Sequence, residues 1–262
     1  MLNRISSHTQ STSIYIGGVY VPNSLDPSLT IWYDASDGAT LSPNANNGTQ
    51  ISQWADKSAV AKNQTPVGGS TKPVVSASIQ NGKTMLGYDG LVDATDANVG
   101  TALQSLPGMT LFVVFKLAAT GSNEQVVQGA VKTGGNYSSA AGYNLAVSSS
   151  NQYTLNIASG SAVSTTSDTK IHLHTIVFDG TQTGDANRLK HRVDGIQQSL
   201  TFSTAVGTTT SATINTLIIG YNTSKANYFG GLIGEVVFYN KTLNTAQITG
   251  TEAYLKSKWG IS

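Results

Sequence analysis

The sequence predicts an all-β protein, a sandwich or barrel of short antiparallel strands forming one domain. Three observations predict it. Apolar runs of strand length recur from residue 31 to residue 239 and are rich in β-branched and aromatic side chains. Gly, Asn or Asp closes most of them, which is turn chemistry. Helical periodicity is convincing in a single segment, at the C-terminal end. A length of 262 residues suits one such unit and buries a core large enough to stand without disulfides. The cysteine count is zero, which also excludes thiolate zinc sites.

Residues 1–25 read as an arm and 26–262 as the folded domain. Within the arm, Ile14-Tyr15-Ile16-Gly17-Gly18-Val19-Tyr20-Val21 predicts a hairpin, because Gly17-Gly18 tolerates the positive φ angles of a two-residue primed turn. The expected register pairs Tyr15 with Tyr20 and Ile16 with Val19. A lone hairpin is marginal in water. Ile14, Tyr15, Ile16, Val19, Tyr20 and Val21 are therefore expected to pack on another subunit or on a capsid shell. Pro22 and Pro27 flank a short connector.

Strands are expected at 110–116, 143–147, 153–157, 172–178, 188–193, 215–220 and 231–239. In 153–157 the alternation is clean, with Tyr153, Leu155 and Ile157 on one face and Thr154 and Asn156 on the other. Residues 57–82 and 160–170, rich in Ser, Thr, Gly and Lys, read as long loops. The closing helix starts at Asn244 as N-cap, lays Ile248, Leu255 and Trp259 on one face with Glu252 between them, and stops at Gly260. Lys256 and Lys258 sit in its last turn, where cations suit the dipole.

Charge is sparse: 11% of residues are charged and the net charge is +1. No basic stripe marks a nucleic-acid partner. The surface is expected to be neutral and rich in hydroxyls and amides, which suits a protein that assembles. The longest purely apolar stretches, such as 111–115, are strand length, so no membrane insertion is expected. The N-terminus lacks the apolar region of a secretion signal. Sequons at Asn47, Asn63, Asn136, Asn222 and Asn240 read as chance products of the composition.

Several segments, in order, carry a resemblance. They are Ile31-Trp32-Tyr33-Asp34-Ala35-Ser36-Asp37, Ile51-Ser52-Gln53-Trp54-Ala55-Asp56-Lys57-Ser58 and Leu86-Gly87-Tyr88-Asp89-Gly90, followed by 110–116, 174–180 and Val193-Asp194-Gly195. Gly231-Leu232-Ile233-Gly234-Glu235-Val236-Val237-Phe238-Tyr239-Asn240 and 252–261 complete the set. Together they resemble the laminin-G-like members of the concanavalin A-like lectin/glucanase superfamily over residues 28–262. The resemblance implies a jelly roll of two antiparallel sheets. The chain departs from the family pattern at 59–63, which replaces a Gly-Asn-Gly run, and at Leu91-Val92, which replaces an acidic pair.

Glycoside hydrolysis needs two carboxylates flanking a cleft. The chain has three glutamates, Glu124, Glu235 and Glu252, and none has an acidic neighbour two or four positions away. Glu235, inside an apolar strand, reads as structural and Glu252 as a solvated helix residue. His172 and His174, two apart on a strand, share a face in a geometry that suits a metal, with His191 as third ligand if its strand is adjacent. The favoured reading is a hydrogen-bonded pair. Asp34, Asp37 and Asp56 with residues 44–47 make an oxygen-rich group suited to calcium, but acids in such loops more often bond loop amides. Trp32 and Trp54 are expected to fill the sandwich core rather than stack on sugars. No catalytic residue, metal ligand or cofactor is therefore assigned.

The resemblance, the arm and the low charge lead to one expected function: a non-enzymatic bacteriophage virion protein, a decoration or fibre subunit on the virion surface. Its expected partners are other virion proteins of capsid or tail and copies of itself, a trimer being one closed arrangement. The alternative is a carbohydrate-binding adhesin or receptor-binding domain that meets a host surface glycan. A glycan-cleaving enzyme is the weaker alternative.

Overall fold

A computed structural model describes residues 15–16, 19–43, 46–67 and 72–262. Two eight-stranded antiparallel sheets stack face to face. The first runs in the order Ile196–Gln197, Leu189–Val193, Ile171–Asp179, Gly108–Leu117, Gly230–Tyr239, Lys83–Asp89, Val74–Gln80. Gly230–Tyr239 is shared along its outer edge. Its first half pairs with Lys83–Asp89 and its second half with Leu29–Asp34. The second sheet runs Thr201–Thr204, Gly160–Thr166, Gln152–Ile157, Asn136–Val147, Glu124–Thr133, Thr216–Ile219, Thr95–Asn98, Thr65–Pro66.

Period-2 alternation explains the layers. In Gly108–Leu117, Leu111, Val113 and Phe115 point between the sheets, while Phe112 and Val114 point outward under the helix. Tyr153, Leu155 and Ile157 are buried between the sheets as their spacing requires. Trp54 is wholly buried there and packs on Tyr33 at 5.3 Å. Every long strand expected from the sequence is present. The segment 57–82 is not a loop throughout, because it holds Thr65–Pro66 and Val74–Gln80. The segment 160–170 holds the strand Gly160–Thr166, whose inward side chains are the small Ala162 and Ser164. Small inward residues give no hydrophobic period to read.

The helix spans Thr245–Trp259. Asn244 accepts from the Gln247 N–H at 2.9 Å, and the Gln247 side chain returns a contact to the Asn244 N–H at 3.1 Å, a reciprocal cap. Gly260 ends it in the left-handed conformation, φ 62°. The helix covers the outer face of the first sheet. There Leu255 and Trp259 are fully buried, each such burial being worth roughly 1.5–3 kcal/mol. Gly234 makes room for the Trp259 ring, since a Cβ there would stand 2.7 Å from it. Among the described residues no helix is long and apolar enough to cross a membrane.

The expected hairpin forms. Tyr15 pairs with Tyr20 and Ile16 with Val19. Ile14 and the Gly17-Gly18 turn lie outside the described residues, as do the side chains of Tyr15, Ile16 and Val19. For Tyr20 itself the expected contact with another subunit is corrected. It is buried against the chain's own helix and outer sheet face, with Leu29, Phe112 and Trp259 in the same cluster. Its hydroxyl donates to Asp26 at 2.9 Å. Val21 is half-buried.

Candidate functional site

Of the residues singled out in the sequence, Glu124 lines an open cleft, while the other acids and the histidines are held in buried or loop contacts. Asp56 is consumed by its own loop: its carboxylate accepts from the N–H groups of Trp32, Ser58 and Lys62 and from the Ser58 hydroxyl. Asp34 and Asp37 both accept from Lys57, at 3.1 and 2.9 Å. These acids bind loop amides and lysines, as in the turn reading.

Glu235 is wholly buried and takes three donors. Trp32 Nε1 lies at 2.8 Å, Lys258 Nζ at 2.6 Å and Trp259 Nε1 at 2.8 Å. Asp34 stands directly opposite it on the next strand. The sequence reading missed this carboxylate pair, because its members lie 201 positions apart and only strand pairing unites them. Trp32 also departs from expectation. It lies half-buried on the outer face with Lys57 4.3 Å above its ring, not between the sheets. Glu252 is buried rather than solvated, held by Arg192 at 2.8 and 3.0 Å.

The strands of His174 and His191 are adjacent. Their rings share a hydrogen bond of 3.0 Å, and His191 reaches Ser164 of the other sheet at 2.7 Å. Burial holds His174 well below the ordinary histidine range and pulls His191 down to about 4, so both are neutral. His172 is instead clasped between Asp194 at 2.6 Å and Asp168 at 2.9 Å, and these hydrogen bonds raise its pKa. Among the described residues no group of three or more His, Asp or Glu is placed to hold a metal ion.

Open clefts lie elsewhere. A 590 Å³ cleft on the first sheet is walled by Val74, Leu117, Ala118 and Leu232, with Gly87 among its lining residues. It is the larger, and Gln50, Lys72, Lys116, Asp89 and Asp93 line it beside these apolar groups. A 270 Å³ cleft on the outer face of the second sheet is chemically different. Its walls are Gln125 and Gln128 from Glu124–Thr133, Asn144 from Asn136–Val147, and Asn222, Thr223 and Asn227 from one loop. Asn123, Ser148 and Thr154 rim it.

The cleft is pre-formed by its own hydrogen bonds. Gln125 Nε2 donates to the carbonyls of Val127 and Leu145, at 2.9 and 3.0 Å. The strand pairing shifts register between Gln125 and Val127 at this point. Asn144 Nδ2 donates to Gln125 Oε1 at 3.1 Å, and Thr223 N–H to Gln128 Oε1 at 3.1 Å, which pins the loop to the sheet. Asn144 Oδ1 is buried and has no partner among the described residues. Glu124 is the one carboxylate present. Its Oε2 accepts from Gly230 N–H at 3.0 Å, and burial raises its pKa. Rigid amides, hydroxyls and one carboxylate are the groups that hydrogen-bond a polyhydroxylated ligand. The sequence shows these residues only as polar positions scattered through strand ends and a loop, so nothing in it marked them as a group.

A family model described as the concanavalin A-like lectin/glucanases superfamily matches residues 86–249, more than half of the chain. No curated protein matches it in sequence. Among solved structures it is similar to a Trypanosoma rangeli sialidase in complex with sialic acid. That match has a TM-score of 0.59 at 15% identity and covers 92% of this chain and 34% of that one. A structure titled for the dependence of botulinum neurotoxin type C cell entry on two ganglioside molecules matches with TM-score 0.56 at 12% identity, over 87% of this chain and 51% of that one. The ligand-binding domain of botulinum neurotoxin serotype D in complex with N-acetylneuraminic acid matches with TM-score 0.55 at 10% identity, with the same coverage. The chain thus spans between one third and about half the length of these proteins, and at such identities the likeness is one of fold.

Proposed function

The chain belongs to the concanavalin A-like lectin/glucanases superfamily, and on that premise we propose that it binds carbohydrate through the amide-lined cleft of the second sheet and performs no catalysis on it. The observation that carries the reading is the cleft itself, whose amides at Gln125, Gln128 and Asn144 are set in place by hydrogen bonds to the sheet and the bordering loop. The sialic acid and ganglioside named for the structural neighbours support the same ligand class. The non-enzymatic half rests on Glu235 and Asp34. They are carboxylates brought face to face, and both are buried under Lys258, out of reach of a glycosidic bond, while Asp89 and Asp93, which line the 590 Å³ cleft, accept from the N–H groups of their own turn.

A glycan array tests this. Wild-type protein is expected to bind a subset of glycans, and Asn144→Ala to lose about ten-fold or more in affinity with unchanged folding. Binding that survives Asn144→Ala places the ligand elsewhere. Cleavage of any bound glycan, abolished by Glu235→Gln, overturns the non-enzymatic reading.

A second reading, a bacteriophage virion decoration or fibre subunit, is favoured by the N-terminal hairpin and the near-zero charge. It is compatible with the first, since a glycan-holding sandwich suits a virion surface that meets a host. Immunogold labelling of intact particles checks it, and unlabelled particles count against it.

A further inference from the structure

The loop that walls the amide cleft also borders a second, aromatic surface on the same sheet face. Tyr221 stacks on Tyr228 at 5.8 Å and 17°, and meets Tyr137 edge-on at 5.6 Å and 90°. Tyr221 is buried, while Tyr137 and Tyr228 are half-exposed. Two ammonium groups lie near the Tyr137 ring, Lys132 at 5.1 Å and Lys225 at 5.8 Å from its centroid. Lys132 is committed to Asp96, which also accepts from the Tyr137 hydroxyl at 2.8 Å. Lys225 is exposed, and no carboxylate pairs with it among the described residues.

Lys225 is tied to the cleft through the backbone. Its N–H donates to the Asn222 carbonyl at 2.9 Å, and the Asn222 side chain accepts from Ala226 N–H at 2.9 Å. Asn222 also lines the cleft. Along the strand Glu124–Thr133, Gln128 in the cleft, Ala130 under the tyrosines and Lys132 beside Tyr137 follow one another at every second position. They share a face and span roughly 13 Å, more than one sugar ring fills.

We propose that the cleft and the tyrosine surface form one extended site for an acidic oligosaccharide, with a sugar ring face on Tyr137 or Tyr228 and the acid group on Lys225. This rests on the carbohydrate reading of the cleft. Only 11% of the chain's residues are charged, and beside the tyrosines Asp96 offsets Lys132, which leaves Lys225 as the cation free to meet an acid group, with Glu124 the one carboxylate lining the cleft. Phenol rings are amphipathic platforms with an apolar face and a polar tip. Stacking platforms with cations also serve single-stranded nucleic acid. That partner needs a basic groove along several nucleotides, and the single unpaired lysine here does not make one.

The test uses an array carrying neutral glycans beside their sialylated and sulfated counterparts, with a thymidine oligonucleotide as a further arm. Wild-type protein is expected to favour the acidic member of a matched pair by about ten-fold, a margin that narrows as salt rises. Lys225→Gln is expected to erase that preference while keeping neutral binding and the melting temperature, and Lys225→Arg to retain it. Preference for carboxylate over sulfate, or the reverse, identifies the acid. Equal binding of neutral and acidic members by wild type, or preference persisting in Lys225→Gln, overturns the proposal. Tighter binding of the oligonucleotide than of any glycan reassigns the face to nucleic acid. Loss of all glycan binding in wild type sinks the carbohydrate reading itself, whereas neutral binding without acid preference sinks this extension alone.

Discussion

Lys258 Nζ lies 2.6 Å from Glu235 Oε2, and that carboxylate is wholly excluded from solvent. The same ammonium lies 2.7 Å from Asp34 Oδ1, so two facing carboxylates share one buried cation. Burial raises the pKa of Glu235 and the Asp34 charge raises it further, while Lys258 opposes both. Burial pushes Asp34 up as well, but Lys258, Ser36 and Lys57 outweigh it and hold Asp34 low. The arrangement ties the end of the helix to the central strand pair through charge as well as through Trp259.

Lys258→Met is therefore expected to cost about 3–5 kcal/mol at neutral pH, the penalty of an uncompensated buried charge. Urea unfolding measures it. Without the ammonium the folded pKa of Glu235 climbs further above its unfolded value of 4.5. The native state then binds more protons than the unfolded state in that window, so the variant loses stability as pH rises and recovers it in acid. A loss under about 1 kcal/mol, or one that does not vary with pH, would mean that Lys258 does not hold this carboxylate.

Period-2 apolar strands and the capped helix were legible because each carries its signal locally. Tyr153, Leu155 and Ile157 announce an inner face, and Asn244 and Gly260 announce helix ends. The strand Gly160–Thr166 was not legible, since its inward residues are too small to give a period. The carboxylate pair Asp34–Glu235 and the bond between His174 and His191 depend on strand neighbours that the sequence does not specify. The cleft was least legible. Gln125, Asn144 and Asn222 are ordinary polar residues until a strand irregularity and a loop bring their amides together.

Tyr20 divides the N-terminal segment by function. It is 4% exposed, clustered with Phe112, Leu255 and Trp259, and its hydroxyl donates to Asp26, itself buried. Tyr20→Ala is expected to cost about 3 kcal/mol through the cavity and the hydrogen bond lost at Asp26 Oδ2. A deletion of residues 2–18 should leave the melting temperature near wild type, whereas a deletion of 2–22 should lower it clearly. Sedimentation of the shorter deletion reads out assembly. If it assembles as wild type does, residues before Val19 do not mediate oligomerisation.

The buried histidine pair sets an acid limit on the fold. His174 packs against Phe115 at 4.5 Å and Tyr153 at 4.4 Å, and the chain His174–His191–Ser164 crosses from one sheet to the other. Both histidines have folded pKa values below 6.5, His191 at about 4. Between those values the unfolded state binds more protons, so stability is full above pH 6.5 and falls as pH drops through the window. His191 alone accounts for about 3 kcal/mol lost on reaching its folded value. His172 acts in the opposite sense. Its folded pKa is raised by Asp194 and Asp168, so its contribution is complete below 6.5 and disappears as pH rises through the folded value. Aspartates held below 3.8, Asp34 and Asp168 among them, lose their contribution only in stronger acid. Chemical denaturation at successive pH values separates these effects. His191→Gln should flatten the fall of stability below pH 6.5, and His172→Gln should remove the part of the stability that disappears as pH rises above 6.5. A wild-type stability that stays level from pH 6.5 down to about 4 would mean that the pair accepts protons without opening the sandwich.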